Sequence, residues 1–228
     1  MEKTVDSLDV REYSPRERHQ RIFETFNGLK AGEAFVLIND HEPKPLLYQF
    51  QMEYDGAYDW WALESGPEAW RVQIARRMSD DPKRTITEYF ETDHRRLDAI
   101  LNRFQSALKN NGWEDALTHI REFKLGLRRH IKAEEEILFP MFEEKTGMTE
   151  AGPTFVMKME HKDIKETLDK LLTAAESKDA KAASSGTAYL INILGNHNMK
   201  EEHILYPESD ALLSDAERPM VVKKAQAI

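Results

Sequence analysis

Apolar and polar positions alternate in two different rhythms along this chain, and the change of rhythm divides it. Up to about residue 78 the apolar runs are short and rich in aromatic and β-branched side chains. Val5–Val10 and Ala34–Ile38 have the compactness of buried strands, and Tyr58–Leu63 and Ala69–Ile74 flank the turn signal Ser65-Gly-Pro-Glu68, as in a hairpin. Two helical stretches lie between them. One starts at Pro15 with Ser14 as its cap and carries Ile22, Phe23 and Phe26; the other starts at Pro45 and carries Leu46, Leu47 and Phe50. The order is β-α-β-α-β-β, a small α/β sandwich over residues 1–78. Arg76-Arg-Met-Ser-Asp-Asp-Pro-Lys-Arg84 is polar and aperiodic and marks the boundary.

Beyond it the spacing becomes three and four. Ile86, Phe90, His94, Leu97, Leu101, Phe104 and Leu108 form one stripe. Trp113, Leu117, Ile120, Phe123, Leu127, His130, Glu134, Leu138 and Met141 form a second, with Pro140 expected to kink or end that helix. Met157, His161, Ile164, Leu168, Leu171 and Ala175 form a third, and Ala183, Thr187, Leu190, Leu194, His197, Glu201 and Ile204 a fourth. Four long amphipathic helices with short connections predict an antiparallel up-down-up-down bundle over 82–207. Residues 208–228 read as a loosely held tail with a short helix near Asp210–Glu217. The fold class is therefore α+β with two domains.

Composition changes this picture little. The chain has no Cys, which removes disulfides, thiolate metal sites and thiol nucleophiles. Its net charge of −9 is spread over both parts, so the basic face of a nucleic-acid binder is not expected. No apolar run approaches the roughly 20 residues that span a bilayer, and the N-terminus lacks the apolar core of a signal peptide. The expectation is a cytoplasmic protein without membrane contact.

The chemistry sits inside the apolar stripes. His130-x-x-x-Glu134 returns as His197-x-x-x-Glu201, 67 residues later, and His94 and His161 are separated by the same 67 residues. Each longer copy reads His-x-x-x-Glu-Glu-x-Ile-Leu-aromatic-Pro. Spacing i, i+4 puts each His/Glu pair on one helix face. Imidazoles and carboxylates in a bundle core are costly unless paired or bound to metal. Four imidazoles and two carboxylates exceed the needs of one tetrahedral ion and suit two ions sharing carboxylates. Glu135, Glu136 and Glu202 turn off this face and are expected in solvent. His119 is too many turns from His130 to share a metal, and His203 points away from Glu201. His19 and His41 remain as isolated groups of the first domain. Glu160, beside His161, is a candidate proton relay facing the cavity.

These six positions resemble the hemerythrin-like family, also called the HHE cation-binding domain. The resemblance implies a non-haem di-iron centre with an oxo or hydroxo bridge, His94, His130, His161 and His197 as terminal ligands, and Glu134 and Glu201 as bridges. Zinc and manganese accept the same donor types. The family's oxygen carriers have a further His four residues after the third-helix His, where this chain has Lys165, and end on an Asp five residues after the last His. The symmetric set is more similar to the branch that repairs iron centres under nitrosative or oxidative stress, although the Cys-containing N-terminal segment of that branch is missing. A ferritin-like site would need Glu-x-x-His twice, and only Glu91-x-x-His94 is present. The implied activity is binding of, or reaction with, oxygen, nitric oxide or peroxide. The alternatives are a reversible sensor or carrier signalling through the N-terminal domain, and iron storage or a structural metal. The first domain, with Leu8-Asp9 before its first helix and Gly32-Glu33 before its second strand, resembles the small sulfur-carrier fold and an uncharacterised bacterial family related to it. Ser14-Pro15 stands where sulfur carriers have Cys-Pro, so persulfide transfer is excluded and a docking or dimerising role is expected.

Overall fold

The computed structural model describes residues 6–78 and 84–228, and the chain divides into two compact units between Arg84 and Thr85. Part of the expected boundary segment, residues 79–83, and Val5 of the first expected strand lie outside the described residues.

The first unit runs β1 (Asp6–Asp9), α1 (Pro15–Gly28), β2 (Ala34–Asn39), α2 (Lys44–Glu53), β3 (Tyr58–Ser65) and β4 (Trp70–Arg76). The sheet order is β1-β2-β4-β3, with β1 parallel to β2 and the other pairs antiparallel. Glu17 accepts from the backbone N–H and the hydroxyl of Ser14, which fixes the start of α1. Because side chains alternate across a strand, Phe35, Leu37, Tyr58, Trp60, Val72 and Ile74 share one face. They are buried with Ile22, Phe26, Leu46, Leu47 and Phe50 of the two helices. Phe50 is the hub, with ring contacts to Phe23, Phe26, Tyr54, Tyr58 and Trp60. His19 and His41 are both exposed, and the His41 Nδ1 lies 2.6 Å from Asp40.

The second unit is the helical bundle: α3 (Ile86–Lys109), α4 (Trp113–Ala133), α6 (Pro153–Glu176) and α7 (Ala180–Lys200). The apolar stripes meet as expected. Leu97, Leu101, Phe104, Ile120, Phe123, Leu127, Ile164, Leu168, Leu171, Leu190 and Leu194 belong to one buried cluster. Among the described residues no helix is long and apolar enough to cross a membrane.

Three expectations fail at the ends of these helices. Pro140 does not end its helix. Instead α4 passes into a π-helical turn at Glu134–Leu138 and continues as α5 (Phe139–Thr146). The repeat does the same, with a π-turn at Glu201–Leu205 leading into α8 (Tyr206–Leu212). A π-turn closes i→i+5 and inserts one residue into the helical count. Every position after it is therefore rotated against the extrapolated stripe. Met141 is only half-buried and Ile204 is 48% exposed, while Phe139, Phe142, Leu205 and Tyr206 take the core positions. Finally, residues 208–228 are not a loose tail. The helix α9 (Glu217–Gln226) buries Val221, Val222 and Ala225 against α3, α4 and the first π-turn.

The start of α3 is capped twice. Thr85 accepts from the Glu88 amide, and Asp210 of α8 accepts from the amides of Ile86 and Thr87 and from the Thr87 hydroxyl. A carboxylate on the N-terminal amides satisfies orphan donors and complements the helix dipole. Replacing Asp210 by Ala is expected to lower the unfolding free energy by about 1–2 kcal/mol, read as a shift in the denaturant midpoint of the full chain.

Candidate metal centre

Helix geometry brings the six predicted residues to one level of the bundle. His94 comes from α3, His130 from α4, Glu134 from the first π-turn, His161 from α6, His197 from α7 and Glu201 from the second π-turn. All six are buried, and Glu134, His161 and Glu201 are wholly inaccessible. The Nε2 atoms of His94 and His130 face each other at 3.0 Å. Glu201 lies between the two sides: its Oε2 is 3.5 Å from His94 Nε2, while its Oε1 is 3.0 Å from His197 Nε2 and 3.8 Å from His161 Nε2. Glu134 does likewise, with Oε2 3.6 Å from His130 Nε2 and 3.3 Å from His161 Nε2.

The outer ring explains how these imidazoles are aimed. His94 Nδ1 bonds to Glu202 at 2.7 Å, His130 Nδ1 to Asp93 at 3.0 Å, His161 Nδ1 to Glu135 at 2.9 Å and His197 Nδ1 to Glu160 at 2.9 Å. An ionised carboxylate only accepts, so each Nδ1 carries its hydrogen outward and each Nε2 is left facing inward. The ring obeys the 67-residue offset throughout. The acid before each lone His holds the His of the next helix, and the acid after each inner Glu holds a lone His. Cations steady three of these acids: Arg96 bonds Asp93 at 2.7 Å, Lys165 bonds Glu135 at 3.2 Å, and Lys200 bonds Glu160.

Several expectations are corrected here. Glu135 and Glu202 do not simply sit in solvent; they orient His161 and His94, whereas Glu136 is exposed as expected. Glu160 does not face the space between the imidazoles, because it sits on the outer nitrogen of His197. Lys165 occupies Glu135. His203 bonds the Met199 carbonyl and stays apart from the cluster; His119 is also outside it. The repeat pattern contains Tyr206 and Asp93 but by itself assigns neither a role. Asp93 was legible through its equivalence to Glu160 at the repeat offset. Tyr206 was hidden by the π-turn, which carries it under Glu201.

The charges are tightly balanced. Burial opposes a charge on His161, yet Glu134, Glu135 and Glu201 outweigh it and push the imidazole up to about 11. Burial is likewise outweighed by Glu201 and Glu202 at His94, which rises to about 10. Burial would raise Glu201, but His161, His197 and His94 bring it well below the usual carboxylate range. For Asp93, burial is overcome by Arg96 and His130, and the group is held at about 2. Protons on the inner nitrogens of His94, His161 and His197 thus compensate the buried carboxylate of Glu201.

That compensation is incomplete. Glu134 Oε2, His161 Nε2 and Glu201 Oε1 have no hydrogen-bond partner despite full burial, and buried polar atoms left unsatisfied are rare. Donor atoms of Glu134, His161, His197 and Glu201 lie within 4.8 Å of one another, as do those of His94, His130 and Glu201. Imidazole and carboxylate donors with carboxylate-held outer nitrogens are a donor set suited to first-row metal ions, and cations placed among them would complete the unsatisfied atoms. The residues present fit a metal centre.

Known proteins bear on the same region. Residues 7–76 match an uncharacterized conserved protein family, DUF2249. The iron-sulfur cluster repair protein YtfE of Enterobacter sp. (strain 638) is 35% identical over 88 residues, covering 35% of this chain and 40% of that protein. The protein of the same name from Edwardsiella ictaluri (strain 93-146) is 33% identical over 91 residues, covering 36% and 41%. The matched stretch therefore spans well under half the length of these relatives. Their names agree with the iron-centre-repair branch that the donor pattern resembles. No solved structure matches the chain. Residues 85–209 match the hemerythrin HHE cation binding domain, and with more than half of its 228 residues inside that match the chain belongs to the hemerythrin HHE family.

Proposed function

We propose that His94, His130, Glu134, His161, His197 and Glu201 hold two iron ions, with Glu134 and Glu201 bridging, and that the centre serves iron-sulfur cluster repair under oxidative or nitrosative stress. The observation that carries this reading is the position of Glu201, one oxygen turned toward His94 and the other toward His197 and His161. A single ion needs only one side of such a carboxylate; two ions use both. The name of the matched relatives supports the repair role. Bound there, iron would supply one-electron redox change and Lewis acidity toward oxygen, nitric oxide or peroxide.

The chain's own residues then have distinct tasks. The four histidines give their inner nitrogens to the ions, and their outer nitrogens remain with Glu202, Asp93, Glu135 and Glu160. Glu160, expected as a relay, holds the His197 tautomer through Nδ1 while Lys200 neutralises it. Lys165 engages Glu135 and adds no donor to the cage, which weighs against an oxygen-carrier set with a fifth histidine.

Anaerobic reconstitution of the full chain with ferrous iron, followed by metal counting and Mössbauer spectra, tests this. Two ions per chain are expected, with clear loss in His94→Ala and Glu201→Ala. A stoichiometry well below two, or variants that load like the wild type, would sink the proposal. Adding nitric oxide, oxygen or peroxide then separates a reversible adduct, expected of a sensor, from consumption over several turnovers.

A second expectation concerns the outer ring. Glu202→Gln and Glu135→Gln keep shape but remove the charge that orients His94 and His161. Each should weaken iron affinity by about 10–100-fold, measured by chelator competition, while circular dichroism shows the helices intact.

A further inference from the structure

The 67-residue repeat makes the two sides of the cage nearly equivalent, and one position breaks the equivalence at its centre. Phe139 stacks on His161 with ring centroids 5.7 Å apart. At the corresponding place in the second copy stands Tyr206, wholly buried, stacked on Phe90 and tilted against His94. Its hydroxyl donates to Glu134 Oε1 at 2.6 Å. The Tyr206 hydroxyl oxygen also lies 3.2 Å from Glu201 Oε2, 3.4 Å from His94 Nε2 and 3.5 Å from His130 Nε2. A phenol has one hydrogen, which cannot serve four neighbours.

The spacing has a simpler explanation. Around a first-row ion, bonds of about 2.1 Å put neighbouring donors about 3.0 Å apart in an octahedron and about 3.4 Å apart in a tetrahedron. Five edges among His94 Nε2, His130 Nε2, Glu201 Oε2 and the Tyr206 oxygen measure 3.0 to 3.5 Å, within about 0.1 Å of that range. The protein's imidazoles and carboxylates are also shared unevenly. Among the described residues the closest clusters take four of them on the His161/His197 side and three, His94, His130 and Glu201, on the other; Glu134 reaches that second side with Oε2 3.6 Å from His130.

We propose that the phenolic Oη of Tyr206 is a fifth protein donor to the ion held by His94 and His130, beside the bridging carboxylates Glu134 and Glu201, so that the two sides of the cage are chemically unequal. Bonding through Oη replaces the phenol O–H bond by an oxygen–metal bond and sends the proton to water. The π-turn at Glu201–Leu205 is what makes this reach available, since it sets Tyr206 directly beneath Glu201. This inference rests on the two-ion reading above and adds a ligand to it.

The test is an optical and resonance Raman comparison of the full chain and Tyr206→Phe, both reconstituted with ferrous iron, counted for metal and then oxidised by ferricyanide. The wild type is expected to show a visible phenolate-to-iron(III) absorption that enhances tyrosinate vibrations. In Tyr206→Phe, which only restores the residue type of Phe139, that absorption should be lost completely while iron still binds. The wild-type Raman spectrum decides the matter even where the variant folds poorly. Two bound irons without tyrosinate vibrations, or an identical spectrum in Tyr206→Phe, would overturn the ligand role and leave the cage reading standing. Fewer than two irons in the wild type would overturn both.

Discussion

Two carboxylates, Glu134 and Glu201, sit wholly out of water in the middle of a helical bundle. The penalty for burying an ionised group is several kcal/mol even after relaxation, so the surroundings must return it through opposite charge. His94, His161 and His197 do so from three different helices, with His130 beside them on a fourth. Each imidazole in turn needs a carboxylate on its outer nitrogen, and three of those outer acids need Arg96, Lys165 or Lys200. The bundle is thus built in shells of alternating sign, from the buried pair outward to solvent. The apolar cluster of Leu97, Phe104, Phe123, Leu168 and Leu190 supplies the rigid frame on which those shells keep their spacing.

The π-turns belong to the same logic. A regular helix through Glu134 would present Met141 to the core, and one through Glu201 would present Ile204. The wider turn discards both and substitutes Phe139 and Phe142 on one side, Leu205 and Tyr206 on the other. Pro140 and Pro207, lacking an amide hydrogen, stand just after these turns and do not demand the bond that the wider turn displaces. Each wide turn begins at an inner carboxylate, and π-turns occur often at functional sites. The tertiary consequence extends to the C-terminal helices, because α8 supplies Asp210 to the start of α3 and α9 covers the first π-turn.

Much of this was legible in the residues. Compact apolar, aromatic and β-branched runs at Ala34–Ile38, Tyr58–Leu63 and Ala69–Ile74 announced the strands, and three-four spacing announced the four bundle helices. The 67-residue recurrence of His and Glu inside apolar stripes located all six inner residues. Those signals are strong because periodicity reports which side of an element is buried, and a polar group on that side must have a reason to be there.

What the sequence could not decide was anything depending on a count of residues per turn or on a partner from another helix. Whether Tyr206 or Ile204 faces the core depends on one inserted residue in the helical ladder, which leaves no mark in hydrophobic spacing. Whether Glu135 and Glu202 meet water or an imidazole depends on where α6 and α3 lie beside them. The same holds for Glu160, assigned from its neighbour His161 but bound across the bundle to His197. Local pattern determined the helices, the strands and the inner donors; only packing decided which acids hold which histidines, and that a phenol stands among them.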